Sequence, residues 1–364
     1  MMQIPSHAML RPLLLAMLFL VTHALPVPAA AQKPVQRKAV ARVGTPYAGN
    51  EEAMRFADEV AERRGLNPDW ARRAVGNAQY LPVVSRLMQP GAPGSLKNWG
   101  VYRSRFIDPV RINAGVRFWQ ENRWALERAE KEYGVPAEII VGIIGVETIY
   151  GRQMGDFRVI DALATLTFNF PATHPRATER RDYFRGELEQ FLSLQHRAGA
   201  DPLTPLGSYA GAMGMPQFMP SSWVRWAVDF DSDGRIDLAG STADVIGSVA
   251  SYFKGYGWKP GMATHYPVRF DAEKLDKDAL LLPDILPTFS VGSFTAKGAV
   301  LDGGALQHSG PLALVELQNG GDAAQYIAGT ENFYVITRYN QSSYYAMAVI
   351  ELAREVKEAL ARAP

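Results

Sequence analysis

The sequence predicts an α+β protein, mainly helical, with a small antiparallel β domain inserted ahead of its last helix. Three observations lead there. Between residues 51 and 263, apolar residues recur at helical spacing in stretches bounded by capping residues, proline and glycine. From Thr264 to Thr337 the texture changes to short apolar runs divided by Gly, Pro and Asn turns, the pattern of strands. From Ser342 helical spacing returns, so residues 338–364 rejoin the helical domain after the β block of 264–337.

The chain of 364 residues carries 38 Lys and Arg against 37 Asp and Glu, a net charge of +1. With no basic block interleaved with aromatics, this excludes a dedicated nucleic-acid binder. Arg11 precedes the apolar run Leu13 to Val21, and Ala29, Ala30, Ala31 and Gln32 offer a small-residue cleavage site. Residues 1–31 therefore read as a secretory signal peptide, and the mature protein is expected in the periplasm. There is no cysteine, which excludes disulfides and a lipid-bearing cysteine after the signal. A soluble monomer without a membrane anchor is expected, with core enough to need no staples. His174, His196, His265 and His308 lie beyond the signal, none at zinc-pair spacing. Residues 32–50, with Pro34, Arg37, Lys38, Arg42 and Pro46, lack periodicity and read as a basic linker.

Asn50 caps a helix to Arg64, with Glu51 and Glu52 in its first turn and Gly65 as its stop. Phe56 and Val60 mark its apolar face. A short helix follows over Asp69–Gly76, then a loop from Met88 to Gly100. Asp108 and Pro109 start a long helix to Tyr133, buried along Ile112, Val116 and Trp119. The next stretch, VPAEIIVGIIGVETIYG (Val135 to Gly151), begins with Pro136 at a preferred first position and ends at Gly151. It is apolar all round, so it belongs inside the domain, and it is too short for a membrane span. A loop rich in aromatics follows, with a helix start near Asp161, then a helix over Thr178–Ala198 with Leu188, Phe191 and Leu192 inward. Gly207 to Pro220 is a tight glycine-rich loop, leading into a short helix capped at Ser221 or Ser222. An acidic loop and a helix over Thr242–Tyr256 complete the block. Strands are expected at Tyr266–Phe270, Phe289–Phe294, Leu312–Leu317 and Phe333–Ile336, with turns at Gly303-Gly304 and Asn319-Gly320-Gly321.

Chemistry concentrates on Glu147, a lone carboxylate in the last turn of the apolar helix. Ile143 and Ile144 stand one turn before it, so it is poorly solvated, which favours the neutral form. The negative end of the helix dipole pushes the same way. A raised pKa follows, reaching about 6 as in general acids of glycosidases; the alternative is a structural Glu paired with an Arg. Asp156 and Asp161 sit in a polar turn and at a helix start, where capping explains them. A second constellation is Asp229-Phe230-Asp231-Ser232-Asp233-Gly234-Arg235. Carboxylates at alternate positions, a Gly for the sharp turn and a main-chain carbonyl at Arg235 form an EF-hand-like pattern suited to Ca²⁺. Zinc is disfavoured because every candidate ligand is a hard oxygen; the alternative is an acidic, solvated turn.

Three signatures then occur in order: Glu147-Thr148-Ile149-Tyr150-Gly151, Ala212-Met213-Gly214-Met215-Pro216-Gln217-Phe218-Met219-Pro220 and Arg338-Tyr339-Asn340. Together with Asp229-Phe230-Asp231 and Gly247-Ser248-Val249-Ala250 they resemble the bacterial lytic murein transglycosylases, B-type, from about Ala53 onward. The resemblance implies a lysozyme-like helical domain and cleavage of the β-1,4 MurNAc–GlcNAc bond of peptidoglycan, leaving 1,6-anhydro ends. Glu147 then serves as acid and base in turn, since most glycosidases need two carboxylates and here a single one is suitably placed. The competing readings are a lysozyme-like muramidase that delivers water instead, and a calcium-stabilised protein that binds peptidoglycan without cutting it.

The same resemblance implies the supporting residues. Tyr102, Arg180, Arg181, Tyr183, Tyr252 and Tyr345 match positions lining the glycan groove, where aromatics stack on sugars and arginines pair with carboxylates. Ser208 and Gln217 are polar groups aimed at a sugar, although a bare turn and a loop anchor are equally good readings of the residues alone. Asn340, beside Tyr339, touches Glu147 or the acetamido group, or caps a helix. Asp244 closes the calcium site in place of the usual twelfth-position Glu, or else caps its helix. Met215-Pro216 stands where relatives often have an aromatic and Gly. The implied partners are peptidoglycan glycan strands and other cell-wall enzymes; no organic cofactor is implied.

Overall fold

The computed structural model describes residues 44–90 and 97–362. The signal peptide, residues 32–43 of the linker and part of the 88–100 loop lie outside the described residues. Residues 44–50, expected as linker, are ordered: β1 (Thr45–Pro46) pairs antiparallel with β2 (Gln79–Tyr80), and Tyr47 is buried, its hydroxyl donating to Asn169 Oδ1 at 2.6 Å.

A first apolar core joins α1 (Glu51–Arg64), α2 (Pro68–Asn77) and α3 (Pro82–Leu87) to later helices. Asn50 accepts from Ala53 N at 2.9 Å and Gly65 ends α1 in the left-handed conformation, as its sequence dictates. The short α4 (Trp99–Arg103) falls at the end of the expected loop. The expected helix from Pro109 to Tyr133 is two: α5 (Pro109–Glu121) and α6 (Arg123–Tyr133), broken at Asn122. Asn122 Nδ2 donates to Phe118 O, and its Oδ1 accepts from the Thr242 hydroxyl, so a distant residue fixes the break.

The apolar helix is α7 (Ala137–Thr148), three residues shorter than the position of Gly151 suggests. Ile149 and Tyr150 already adopt left-handed φ values of 51° and 55°, ahead of Gly151 at 84°. Two such residues without glycine cost on the order of 1–3 kcal/mol each. Tertiary contacts hold them: the Tyr150 ring lies against Phe118 with centroids 5.1 Å apart, and Thr148 Oγ1 donates to Met215 O at 2.8 Å while accepting from Gly151 N at 3.0 Å.

The aromatic-rich loop is shorter than its sequence suggests, because Val159–Phe168 forms the almost wholly buried α8, paired with α9 (Ala177–Arg197). Before them β3 (Phe157–Arg158) pairs with β4 (Leu206–Gly207). Helix α10 (Pro220–Trp226) has no side-chain cap; Ser221 instead donates through N and Oγ to Glu187 at 2.8 and 2.6 Å. Helix α11 (Thr242–Gly255) is capped by Ser241 rather than Asp244.

The β block holds β5 (His265–Pro267), β6 (Arg269–Phe270), α12 (Lys277–Leu281), α13 (Val291–Ala296), β7 (Ala299–Val300), β8 (Ala313–Asn319) and β9 (Asp322–Gly329). Its main sheet has the antiparallel order β5-β9-β8, and β6 pairs with β7. Two expected strands are helical. Phe289–Phe294 becomes a bridge from Phe289 to Leu312 followed by α13, which Ser290 caps; Phe333–Ile336 lies in α14 (Glu331–Thr337), which Thr330 caps. A side-chain cap ahead of a short apolar run decides for helix where length alone does not. Alternation along β8 sends Ala313, Val315 and Leu317 toward the helical core and Leu312 and Leu314 toward the block's own small core.

Finally α15 (Ser343–Arg362) returns and packs along α7. With α5, α6 and α11 these helices form the second and larger core. The approach of α7 to α15 requires Gly142, where a Cβ would meet Val349 O at 2.6 Å and Ala353 Cβ at 3.1 Å. Gly142→Ala is expected to destabilise the fold by about 1–3 kcal/mol through overpacking. Thermal or denaturant unfolding checks this; an unchanged midpoint would show that α15 yields freely.

Candidate active site

Among the described residues four carboxylates are buried: Glu147, Asp161, Glu187 and Asp244. Their partners separate them. Asp161 accepts from Gln79 N at 2.9 Å and pairs with Arg158 at 2.7 Å. Glu187 takes both donors of Ser221. Asp244 accepts from the main-chain N of Phe230 at 2.7 Å and of Asp237 at 2.8 Å. These three brace loops. Glu147, 8% exposed, takes one hydrogen bond to its carboxylate, from the Tyr345 hydroxyl at 2.5 Å.

Burial dominates its ionisation. Loss of water raises the Glu147 pKa from 4.5 to about 7, with the Tyr345 hydroxyl opposing by favouring the charged form. The carboxyl therefore retains a proton near neutral pH, which suits a group that must donate one. The expected direction holds, without any Arg partner. Tyr345, on α15, makes the contact to Glu147. Asn340 is buried beside it, at 5% exposure, after α14.

Tyrosines build the surroundings. The Tyr339 ring stacks near-parallel on Tyr345 at 6.4 Å and donates its hydroxyl to Pro216 O at 2.7 Å. Tyr252 packs on Tyr339 at 4.7 Å and donates to Arg338 O at 2.7 Å. Both are fixed by backbone carbonyls, leaving ring surface for contact. Tyr183, Tyr252, Tyr339 and Gln217 line a cleft of about 250 Å³. Tyr183 packs on the first core, while Tyr252 and Tyr339 belong with the second, so this cleft follows the seam between the two cores. Tyr102, from α4, lines a separate cleft of about 380 Å³.

The glycine-rich loop is held from inside. Ser208 is buried, and its hydroxyl accepts from Ala210 N and Ala212 N at 3.3 and 3.1 Å. Gln217 adopts φ 50° and donates from Nε2 to Gly214 O at 2.9 Å and Met154 O at 3.1 Å. Both residues thus serve the loop-bracing alternatives their sequence allowed. Arg180 is half-buried, and its Nε is buried without a hydrogen-bond partner, a donor available to a ligand; burial first, and Arg176 second, lower its pKa. Arg181 is exposed on the same helix. Glu187 is the residue sequence reading missed. Its signal is position, since it stands on the apolar face of α9 between Phe184, Leu188 and Phe191.

In the acidic loop, carboxylate oxygens of Asp229, Asp231 and Asp244 lie within 4.8 Å of one another. Asp233 is not one of the three: its Oδ1 accepts from Arg235 N at 2.8 Å and its Oδ2 lies 3.4 Å from the Arg235 guanidinium. Gly234 takes φ 89° at the sharp turn. The loop reaches the site, because Leu238 O accepts from Met215 N at 2.8 Å, and Met215 O is the acceptor of Thr148.

A helical scaffold and a seam floored by tyrosines, with one buried carboxyl beside them, suit an enzyme that breaks glycosidic bonds. Comparison with known proteins agrees. The family model described as Transglycosylase SLT domain matches residues 48–354. The membrane-bound lytic murein transglycosylase B of Escherichia coli (strain K12) is 42% identical over 332 residues, 89% of this chain and 87% of that protein. The solved structure of the Escherichia coli lytic transglycosylase Slt35 in complex with calcium is 41% identical and covers 87% of this chain and 96% of its own, with a TM-score of 0.76. That of SltB3 from Pseudomonas aeruginosa in complex with NAG-anhNAM-pentapeptide is 28% identical and covers 84% of this chain and 79% of its own, with a TM-score of 0.67. The chain belongs to the lytic murein transglycosylase family, and it is a peptidoglycan lytic transglycosylase.

The Glu147 shift carries a stability consequence. Its folded pKa lies above the unfolded value, so its favourable contribution is complete below pH 4.5 and is lost as pH rises to about 7. Glu147→Gln carries no such loss. Its stability relative to wild type should rise on the order of 3 kcal/mol between pH 4.5 and 8, read by denaturant unfolding at both pH values. A constant difference would show that the carboxyl is solvated.

Proposed function

We propose that Glu147 cleaves the β-1,4 bond between N-acetylmuramic acid and N-acetylglucosamine by acting first as acid and then as base. The observation that carries this reading is a buried carboxyl whose pKa burial raises to about 7, and which among the described residues forms no ion pair. In the first half-reaction Glu147 protonates the bridging oxygen as the bond from the muramyl C1 breaks, leaving oxocarbenium-like charge on that sugar. The substrate's own acetamido group stabilises that charge. In the second, the muramyl C6 hydroxyl attacks C1 and its proton passes to Glu147, closing a 1,6-anhydro ring and restoring the acid. Arg180, Tyr183, Tyr252, Tyr339 and Gln217 are proposed to hold the glycan along the seam, with Tyr102, Asn340 and Tyr345 next to the scissile bond.

Digestion of purified murein followed by mass spectrometry tests this. Products should be one water lighter than those of hydrolysis, and Glu147→Gln should lower the rate at least 10³-fold, the upper part of the range for losing a general acid. Full-mass reducing ends would convert the assignment to a muramidase, and wild-type rate in the variant would remove Glu147 from the chemistry.

A calcium ion is proposed at the acidic loop, held by Asp229, Asp231 and Asp244 with the main-chain oxygen of Arg235. Three hard carboxylate donors so close repel one another unless a cation sits among them. An ion there would neutralise this repulsion and stiffen the path from Leu238 through Met215 to Thr148, beside Glu147. Chelation should lower the melting temperature by several degrees, with calcium restoring it, and Asp244→Asn should abolish the response. A chelated protein, verified metal-free, that melts unchanged would rule the ion out.

Among the described residues no helix is long and apolar enough to cross a membrane. Export by the N-terminal segment and action as a soluble periplasmic monomer on glycan strands complete the proposal.

A further inference from the structure

The cleft beside Tyr102 differs in character from the tyrosine seam. It is walled by α4, by the start of α15 and by the turn after α12, and encloses about 380 Å³. Lys97, Asp284, Ser343 and Tyr344 continue into an adjoining hollow of about 220 Å³ against β8. Three charged residues line it: Lys97, Arg105 and Asp284. Among the described residues none of the three makes a side-chain ion pair, although the surfaces around them pair freely. Arg103, two residues before Arg105, binds Glu351. Lys97 lies over the Tyr344 ring at 6.0 Å. Apolar surface accompanies the charges: Val101, which lines the cleft, is 53% exposed.

The chain connects this cleft to the reacting centre. Tyr344 lines it, and the next residue, Tyr345, holds Glu147. Gln341 and Ser342 line it directly after Tyr339 and Asn340. Burial, and after it the charge of Glu147, raises the pKa of Tyr102, so the cleft that Tyr102 lines is near the carboxyl, and what hangs from the sugar beside the scissile bond comes within reach of Lys97, Arg105 and Asp284. Neutral sugar hydroxyls have no need of two cations and an anion. The chain attached to the muramyl lactate does: a short peptide with several free carboxylates, one free amine and small apolar side chains.

We infer that this cleft, between α4, α15 and the β block, is a binding site for the peptide stem of the glycan, with Lys97 and Arg105 taking its carboxylates and Asp284 its amine. The inference rests on the murein-cleaving reading of Glu147. It gives the β block a part in substrate choice, since Asp284 and Ile285 form one wall. Charge-assisted contacts of this kind are strong enough to discriminate between substrates, and about tenfold in kcat/KM corresponds to one such bond.

The test compares linear glycan strands bearing their stems with strands of equal length from which an amidase has removed them. Wild type should cleave the stem-bearing strands with a kcat/KM about tenfold or more above the stripped strands, through a lower KM. In Lys97→Ala/Arg105→Ala the ratio should fall to about one, and Lys97→Arg/Arg105→Lys should restore most of it. Equal rates on both strands by wild type, or an unchanged ratio in the alanine variant, would overturn the stem site. Absence of anhydro product from either strand would instead overturn the reading of Glu147. Calorimetry with the amidase-released stem peptide decides the cleft without turnover: binding by wild type that the alanine variant loses supports it, and equal or absent binding refutes it.

Discussion

The structure depends on keeping one carboxyl out of water. Burying a carboxylate without compensation is costly, and proteins answer with a cation, with amides or with a proton. Asp161, Glu187 and Asp244 use the first two answers. Glu147 uses the third, helped by one hydroxyl. The apolar face of α7 makes this possible, because Ile143, Ile144 and Val146 around Glu147 are buried and offer it neither water nor a charge.

Holding that carboxyl at the edge of a cleft requires the helix to stop abruptly. Two consecutive left-handed residues, Ile149 and Tyr150, make the stop, and their strain is offset by contacts from three directions. The Tyr150 ring occupies space that Gly115 and Gly145 leave open, since a Cβ on either would lie within 2.5 Å of its hydroxyl. Thr148 ties the turn to Met215, and Met215 is tied to Leu238 of the acidic loop. The acidic loop, 80 residues downstream in sequence, is thus two hydrogen bonds from the residue next to Glu147. The cation proposed there would act on the turn beside Glu147 rather than on a remote surface.

The two helical cores give the active site its shape. Tyr183 arrives from one, Tyr252 and Tyr339 from the other, and the glycine-rich loop spans them, with Met213 in the first core and Phe218 in the second. The β block adds a further wall. Its sheet offers one face to the helical core and one to its own, so the block is fastened by ordinary alternation along β8 and needs no linker.

The caps at Asn50 and Gly65, the apolar helix with a carboxylate in its last turn and the acidic triplet were all legible in the sequence, because each rests on local propensity or period. The raised pKa of Glu147 was legible for the same reason: the apolar residues one turn before it leave a charge poorly solvated. Other features depended on residues far apart along the chain. Thr242 engages Asn122 at the break between α5 and α6, and α8 was hidden because its neighbours bury it on every side. Short apolar runs near Phe294 and Phe333 fit either period, and their caps at Ser290 and Thr330 tipped them to helix. In the site, tertiary structure brought Tyr345 to Glu147, turned Ser208 and Gln217 inward to brace their loop, and gathered Asp244 with Asp229 and Asp231. Hydrogen-bond partners are settled by which elements meet, and periodicity within one element carries no record of the other.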